Sequence, residues 1–574
     1  MTKNLIQDEM GRTITLSSKI FSKTANLSDN IETITGLATL LQTSLGPNGL
    51  DKILQSPNDD LVITNDGATI LQSMEMTTNP ISRLFQRLSS AVDDEIGDGT
   101  TTVVLFASAL LKEAESLIKI GIHPIKISNG FDIATKLILS FLDKIKEENK
   151  PSREILRAAA ITSLNSKIVS KDKDLFADIC VNAITKIQDS RKDVDFELIK
   201  IVKKIGQSFS QSELIDGVLL DKSLSHPQME ELLQKNSIEP RKIALLACPF
   251  EPPKLKTNHV LNISSVEDYK SLESYEKEKF IEMIRSLKNA GANFVFCQWG
   301  FDDEANGLLL EHELPAIRWI GGQDMELAAV YTKGNIISRF EELTNQDLGT
   351  GIIEEIKLGT ENEKSIKLTK TILSEKSNTT VTILLRGSSN LALDEAERSL
   401  RDALCSVRNT LQNSSLIYGG GSFEIAAYNH LQQIISDCKN TNQISVDLFS
   451  TESKPLDIDG ISPETFVILN AYSQALLQIP LILSKNANFP PIESVDFLIS
   501  EQLRQKSYFL GIPSQLPQDM SKVAIEAHLK SYGNMRKNRV FDSSSSKSNS
   551  MAMATQLVNM ILKIDEVVYV EGNE

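Results

Sequence analysis

The sequence predicts a multidomain α and α/β protein: a helical domain assembled from both chain ends, with an α/β unit inserted between its halves. Three observations predict this. The 574 residues exceed what one hydrophobic core usually organises, so several domains are expected. Residues 18–150 read as long helices broken by glycine-bearing turns, and helices return after the apolar run at 381–385. Between them lie short apolar runs bounded by turns, the pattern of buried strands alternating with helices.

Along the chain, Ile31, Ile34, Leu37, Leu40, Leu41 and Leu45 fall at helical spacing, and that helix stops at Gly46-Pro47-Asn48-Gly49. Leu61-Val62-Ile63-Thr64 reads as a short strand ending at Asn65-Asp66-Gly67, and a helix over 103–118 follows a run of threonines. Ile243-Ala244-Leu245-Leu246-Ala247, Asn293-Phe294-Val295-Phe296 and Ile317-Arg318-Trp319-Ile320 read as strands. Ser264 with Glu267 forms a capping box for a helix that carries Tyr269, Leu272, Phe280, Met283 and Leu287 near one face. The serine-rich stretch 543–550 reads as an exposed turn or loop, with no function assigned to it.

Composition limits the function classes. A 41% hydrophobic fraction with 24% charged residues supplies real cores and argues against a mostly disordered chain. The net charge of −16 disfavours a general role on nucleic acid, where phosphate neutralisation needs clustered Lys and Arg. Five scattered cysteines, none in a Cys-x-x-Cys pair, indicate neither a disulfide framework nor a zinc site. The N-terminus lacks an apolar signal region, and no stretch reads as a membrane span, so the expectation is a cytoplasmic protein with no membrane partner.

The chemistry concentrates in a few turns. Gly97-Asp98-Gly99-Thr100-Thr101-Thr102 combines glycines for close backbone approach, hydroxyl donors, a hard oxygen ligand for magnesium and a following helix dipole. Gly-Asp-Gly alone would read better as a capped helix start. It is not a Walker A loop, because Gly-x-x-x-x-Gly-Lys-Ser/Thr is absent. Leu45-Gly46-Pro47-Asn48-Gly49 by itself reads as a helix terminator, and Asn65-Asp66-Gly67 as a hairpin turn, although Asp66 at a strand end could orient a water. Asp402 lies opposite the apolar stripe Ala396, Leu400, Ala403, Leu404, Val407 and Leu411, so the plain reading is a solvated charge paired with Arg398. Tyr418-Gly419-Gly420-Gly421 permits close contact with a base or ribose, or simple flexibility.

Together these segments resemble the group II chaperonins. The matching stretches are LGPNGLDK at 45–52, TNDGATIL at 64–71, DDEIGDGTT at 93–101, LRGS at 385–388, ERSLRDAL at 397–404 and the glycines 419–421, in family order over nearly the whole chain. In the middle, DVDFELIK at 193–200, SHPQM at 225–229, CPFEPPK at 248–254, SVEDYK at 265–270, YEKEKF at 275–280 and CQWGFDDEAN at 297–306 look like one subunit type of the eukaryotic cytosolic members.

The resemblance implies a helical equatorial domain (1–150 and 412–574), an α/β intermediate hinge domain (151–224 and 378–411) and an inserted apical domain (225–377). The apical domain would bind clients and carry a helical protrusion over 248–283. It further implies an ATPase using ATP and Mg2+, working among related subunits of a hetero-oligomeric double ring on unfolded clients such as actin and tubulin. Gly46, Gly99, Thr100 and Thr101 would hold phosphates and Asp98 the magnesium, with Leu45, Pro47, Gly67 and Thr102 also among the residues that bind the nucleotide. Asp66 and Asp402 would position or activate water, Asp402 arriving on a mobile hinge domain, and Gly420 and Asp542 would approach the nucleoside. The chain departs from the family at Gly511-Ile512-Pro513, where Gly-Ile-Asp is usual, at Asn165, at Gln42, and over 484–491, which lacks a glycine-containing turn. The alternatives are a ring subunit that binds nucleotide with little turnover, and a free-standing kinase or ATPase.

Overall fold

A computed structural model describes residues 4–7, 13–16, 23–55, 61–74, 80–148, 151–188, 194–234, 239–251, 265–359, 363–369, 380–441, 463–515 and 522–564. Two compact units emerge: residues 1–177 with 398–574, and residues 178–397. The fold is the expected multidomain α and α/β arrangement, with a helical unit made from both chain ends.

The first unit opens with an antiparallel pair of strands, Asn4–Gln7 and Thr13–Leu16, followed by helix α1 (Lys23–Gln42) and an antiparallel hairpin of strands Lys52–Gln55 and Leu61–Thr64. Then follow α2 (Gly67–Ser73), α3 (Pro80–Glu95), α4 (Thr100–Lys119), α5 (Pro124–Ile145), α6 (Arg153–Leu164) and α7 (Lys173–Ile187). The unit boundary falls inside α7. α4 is apolar almost all round, as a helix at the centre of a core must be.

The second unit contains α8 (Met229–Gln234), α9 (Val266–Ala290), α10 (Asp303–Glu311) and α11 (Gly322–Thr332) around a mixed sheet. Strand Arg241–Leu246 is its centre and pairs in parallel with Phe294–Cys297, which pairs in parallel with Ala316–Ile317. Every residue of Phe294–Cys297 is buried, which explains the unbroken apolar run there. A second, three-stranded sheet joins Ile199–Ile205 in parallel and Glu213–Ile215 antiparallel to Val381–Gly387.

The chain then returns through α12 (Asn390–Asn413), α13 (Ser422–Thr441), α14 (Pro463–Asn486), α15 (Pro491–Gln505), α16 (Lys522–Tyr532), α17 (Met535–Asn538) and α18 (Ser544–Leu562). Tyr472 on α14 stacks edge-on against Phe106 of α4 and Phe131 of α5, with centroids 5.7 and 5.5 Å away. Its hydroxyl lies 3.0 Å from Thr135 Oγ1 and 3.1 Å from Thr555 Oγ1, so the one polar atom of a buried ring is satisfied. Helices from residues 100–145 and 463–562 are thereby closed into one core.

Four expectations change. The stretch 543–550 is no exposed loop: strand Phe541–Ser543 runs into α18, and Ser543, Ser544 and Ser550 are buried. The strand expected over 317–320 ends at Ile317, because Trp319 adopts φ +59°. α14 is long and apolar enough to cross a membrane, contrary to the sequence reading. Its apolar residues, Leu469, Tyr472, Ala475 and Leu476 among them, are instead buried in the helical core. Leu40, placed in the buried stripe of α1, is 48% exposed. Ser264, half of the expected capping box, lies outside the described residues, as does part of the 248–283 stretch.

Candidate active site

Strand Leu61–Thr64 delivers Asp66 to the start of α2, where its carboxylate takes the orphan donors of the first turn. Oδ1 accepts from the Ala68 N–H at 3.3 Å, and Oδ2 from the N–H and hydroxyl of Thr69 at 2.9 and 2.8 Å. Oδ1 also accepts from the Thr100 hydroxyl at 2.8 Å. One side chain therefore ties the N-termini of α2 and α4 together. This corrects the hairpin-turn reading of Asn65-Asp66-Gly67: the turn is a helix start, because the carboxylate satisfies the backbone.

Gly67 packs where a side chain cannot go. A Cβ there would lie 2.6 Å from Thr101 Oγ1 and 2.9 Å from the Thr101 backbone N and Cα. Gly67 thus sets the spacing of the two helix starts. Gly67→Ala should push α4 off Asp66 and lower nucleotide turnover on the order of 100-fold, read as kcat with thermal melting as a folding control. Near-normal kcat would show that this spacing is unimportant.

Gly97 and Gly99 both have positive φ, +70° and +79°, and Gly97 lies hard against Cys405 of α12. Gly99 is the N-cap of α4 and offers no side-chain acceptor to its first-turn N–H groups. That uncapped first turn, Thr100 to Thr102, lines a cavity of about 190 Å³ together with Asp66, Asp98, Lys167 and Asp402. An uncapped helix N-terminus with hydroxyls around it suits phosphate oxygens.

Asp402 is not the solvated charge the helix pattern indicated. Its side chain is 19% exposed, and its Oδ2 lies 2.8 Å from Lys167 Nζ, which is 10% exposed. Arg398, its expected partner, donates to the Ile63 carbonyl at 3.1 Å. Asp402, Asp66 and Asp98 all line one cavity of the first unit.

Burial pushes the Asp402 carboxyl up to about 7, with Lys167 working against it and the Asp66 charge adding to it. Burial also pushes Asp98 up to about 6, and the Asp542 carboxylate pushes the same way. Asp66 moves oppositely: burial would raise it, but Lys167 and the donors from Thr69 and Thr100 outweigh that and hold it below its ordinary value. The cleft thus holds one firmly ionised carboxylate and two that change charge near neutrality.

Among the described residues no group of three or more His, Cys, Asp or Glu could hold a metal ion. Magnesium can take as few as one or two protein carboxylates and complete its shell with phosphate oxygens and water. Asp98 is the residue that would supply the protein oxygen.

A second cavity, of about 440 Å³, shares Leu45, Gly46, Thr102 and Asp542 with the first and also includes Pro47 and Gly420. Gly46 has φ +87°, and Asn486 Nδ2 donates to the Gln42 and Leu45 carbonyls, both at 2.8 Å, holding that turn. Gly420 (φ +67°) accepts from the Ile512 N–H at 2.8 Å, which docks Gly511-Ile512-Pro513 onto the glycine turn. That segment offers backbone, not a carboxylate, to the cavity. Asn165 accepts from Lys173 Nζ at 2.9 Å in the same wall.

Sequence reasoning missed Lys167, Lys547 and, as a buried ion-pair partner, Glu424. Lys167 stands two residues after Asn165 at a helix end, and nothing local marks it. Its role exists only because Asp402, more than two hundred positions away, folds beside it.

A two-part cleft at a helix N-terminus, ringed by carboxylates, lies within a helical unit built from both chain ends, the arrangement expected of a chaperonin. A model of the TCP-1/cpn60 chaperonin family matches residues 37–571, and the chain belongs to that family. It is 46% identical over 573 residues, 98% of this chain and 99% of the relative, to T-complex protein 1 subunit epsilon of Encephalitozoon cuniculi. This supports an epsilon-type subunit, the subunit type that the middle stretches resemble. It is also 34% identical over 546 residues to thermosome subunit beta of Aeropyrum pernix, covering 94% of this chain and 90% of the relative. Against a thermosome subunit of Pyrococcus horikoshii the identity is 32% over 537 residues, 93% of this chain and 89% of the relative.

Proposed function

We propose that this chain is an ATP-hydrolysing subunit of a hetero-oligomeric double-ring chaperonin of the cytosol, coupling hydrolysis to closure around unfolded clients such as actin and tubulin. The observation that carries this reading is Asp66, Asp98 and Asp402 around one cavity at the uncapped start of α4. Phosphoryl transfer to water demands mainly positioning and charge neutralisation. The first turns of α2 and α4 and the Leu45-Gly46-Pro47 turn cradle the phosphates. Asp98 would hold magnesium, which when bound would supply charge neutralisation. Asp66, ionised and fixed by four donors, orients the water, and Asp402, poised near neutrality, accepts its proton.

Coupling to domain motion is supported by α12. It is one continuous helix whose first residues belong to the second unit and whose remainder, with Asp402, belongs to the first. Rotation of that helix would withdraw or deliver the carboxylate. We assign 1–150 and 412–574 to an equatorial domain, 151–224 and 378–411 to a hinge, and 225–377 to an apical domain.

Client capture is supported by the chain's two tryptophans, Trp299 and Trp319, which are 50% and 57% exposed beyond the ends of two adjacent strands of the second unit. Trp299 Nε1 donates to the Ala247 carbonyl at 2.8 Å, and the Trp319 indole lies over Gly300, so both rings are held in place while exposed. Such a fixed apolar patch suits unfolded segments. Replacing both with serine should weaken capture of denatured actin about tenfold while hydrolysis stays normal. Equal capture would remove this patch from the client surface. For the assembly itself, native purification with mass spectrometry should find related companion subunits. A homo-oligomer or a monomer would overturn the reading.

A further inference from the structure

Asp66, Asp98 and Asp402 reach the cleft from three separate segments, and two of these are already joined, because the Thr100 hydroxyl ties the start of α4 to Asp66. Nothing local places the third. Asp402 rides on α12, and its pairing with Lys167 runs through a long, flexible side chain that restrains position poorly.

α12 carries Arg398, Asp402, Cys405 and Asn409 at intervals of four, three and four residues, which is one stripe along a helix. Arg398 Nη2 donates to the Ile63 carbonyl at 3.1 Å, in the strand that leads into Asp66. Asn409, itself buried, donates through Nδ2 to the Ile96 carbonyl at 2.9 Å and to Ser546 Oγ at 3.3 Å. Ile96 directly precedes the Gly97-Asp98-Gly99 turn. Between the two ties, Cys405 packs so closely on Gly97 that a Cβ there would lie 2.6 Å from the Cys405 Cβ. The stripe spans about 16 Å of helix, with Asp402 inside it. Both ties end on backbone, so they fix the path of the chain itself. At Ile96 this is plain: the Ile96 and Gly97 N–H groups both donate to the Val92 carbonyl, ending α3, and the Ile96 carbonyl turns to Asn409. Satisfying two carbonyls would not by itself require both donors to come from the stripe that carries Asp402.

We propose that Arg398 and Asn409 are positioning residues for hydrolysis: they fasten α12 to the backbone beside Asp66 and beside Asp98, and so hold Asp402 at a fixed separation from both. Neither is among the residues that line the two cavities, so each acts through Asp402 and the segment it grips rather than on the nucleotide. The two have different second effects. Arg398 steadies the strand that delivers the water-orienting Asp66, whereas Asn409 steadies the turn that carries Asp98. This rests on the hydrolysis reading above.

The test measures kcat, the Kd of MgATP and thermal melting on the full-length chain. Arg398→Met and Asn409→Leu should each lower kcat about 30-fold, because reacting groups displaced by about 1 Å lose rate on that scale, while the Kd stays within about twofold of wild type. Arg398→Lys keeps a donor for the carbonyl and should recover most of the rate. Asn409→Leu frees the Asp98 turn and should also raise the magnesium concentration for half-maximal activity, which Arg398→Met should leave unchanged. Should Asn409→Leu fail to fold, Asn409→Ser leaves the Ile96 carbonyl to water and should show the same pattern. Near-normal kcat in the folded variants overturns the proposal, as does ATP binding lost in proportion to kcat. So does a rate in Arg398→Lys no better than in Arg398→Met, or a magnesium requirement that the Asn409 variants leave unmoved. A wild-type chain that binds ATP without hydrolysing it instead overturns the hydrolysis reading on which the proposal rests.

Discussion

Asp402→Ala should abolish the hydrolysis proposed for this subunit, by about 10³-fold or more in kcat, while ATP binding changes little. The expectation follows from where the carboxylate stands: in the same cavity as Asp66 and the start of α4, paired with Lys167, and pushed up to about 7 by burial. Its base form is lost as pH falls through neutrality, so hydrolysis declines on the acid side with an apparent pKa near that value. Lys167 holds Asp402 down, and Lys167→Met should therefore move the acid limb to higher pH. A pH–rate profile of particles carrying each variant reads both effects. An unmoved limb in Lys167→Met would assign the titration to another group. Full turnover in Asp402→Ala would leave the subunit as a nucleotide-binding and client-binding member of the ring.

Asp98→Asn should produce the second large effect. The substitution keeps the size of the side chain between Gly97 and Gly99 but removes the hard, charged oxygen that would hold magnesium. We expect kcat to fall about 100-fold or more and the magnesium concentration for half-maximal activity to rise. Magnesium-free ATP should bind at least as well as to the wild type, because a buried negative charge has gone from beside the phosphates. A magnesium titration of hydrolysis and of binding separates these outcomes. An unchanged magnesium requirement would remove Asp98 from the metal site.

Turns and helix starts were legible where local chemistry dictates them. The glycines at 97 and 99 and the threonines after them announce a helix N-terminus with room for an anion, and α4 begins at Thr100. The strand at 61–64 and the buried strands at 243–246 and 294–296 follow from continuous apolar runs. Serine-rich 543–550 was misleading because hydroxyls read as solvated, yet here they bond to neighbouring side chains and line a core helix. The mostly apolar α14 was easy to misjudge in another way, since a helix at the centre of a helical core and a membrane helix share one composition.

By itself the sequence determined the order helical, α/β, helical and the turns proposed to bind phosphate. Through its ordered motifs it also determined the chaperonin family, because each of these is written in neighbouring residues. Only the tertiary structure decided the charges. Asp402 has no local reason to be anything but solvated; its carboxyl is pushed up because folding strips away water and sets the Asp66 charge nearby, with Lys167 working against both. Lys547 of α18 and Glu424 of α13 lie far apart in the sequence and form an ion pair only because the fold brings them together. Local preferences act over a few residues, whereas desolvation and Coulomb interaction depend on distance in space, and that distance is set by the fold.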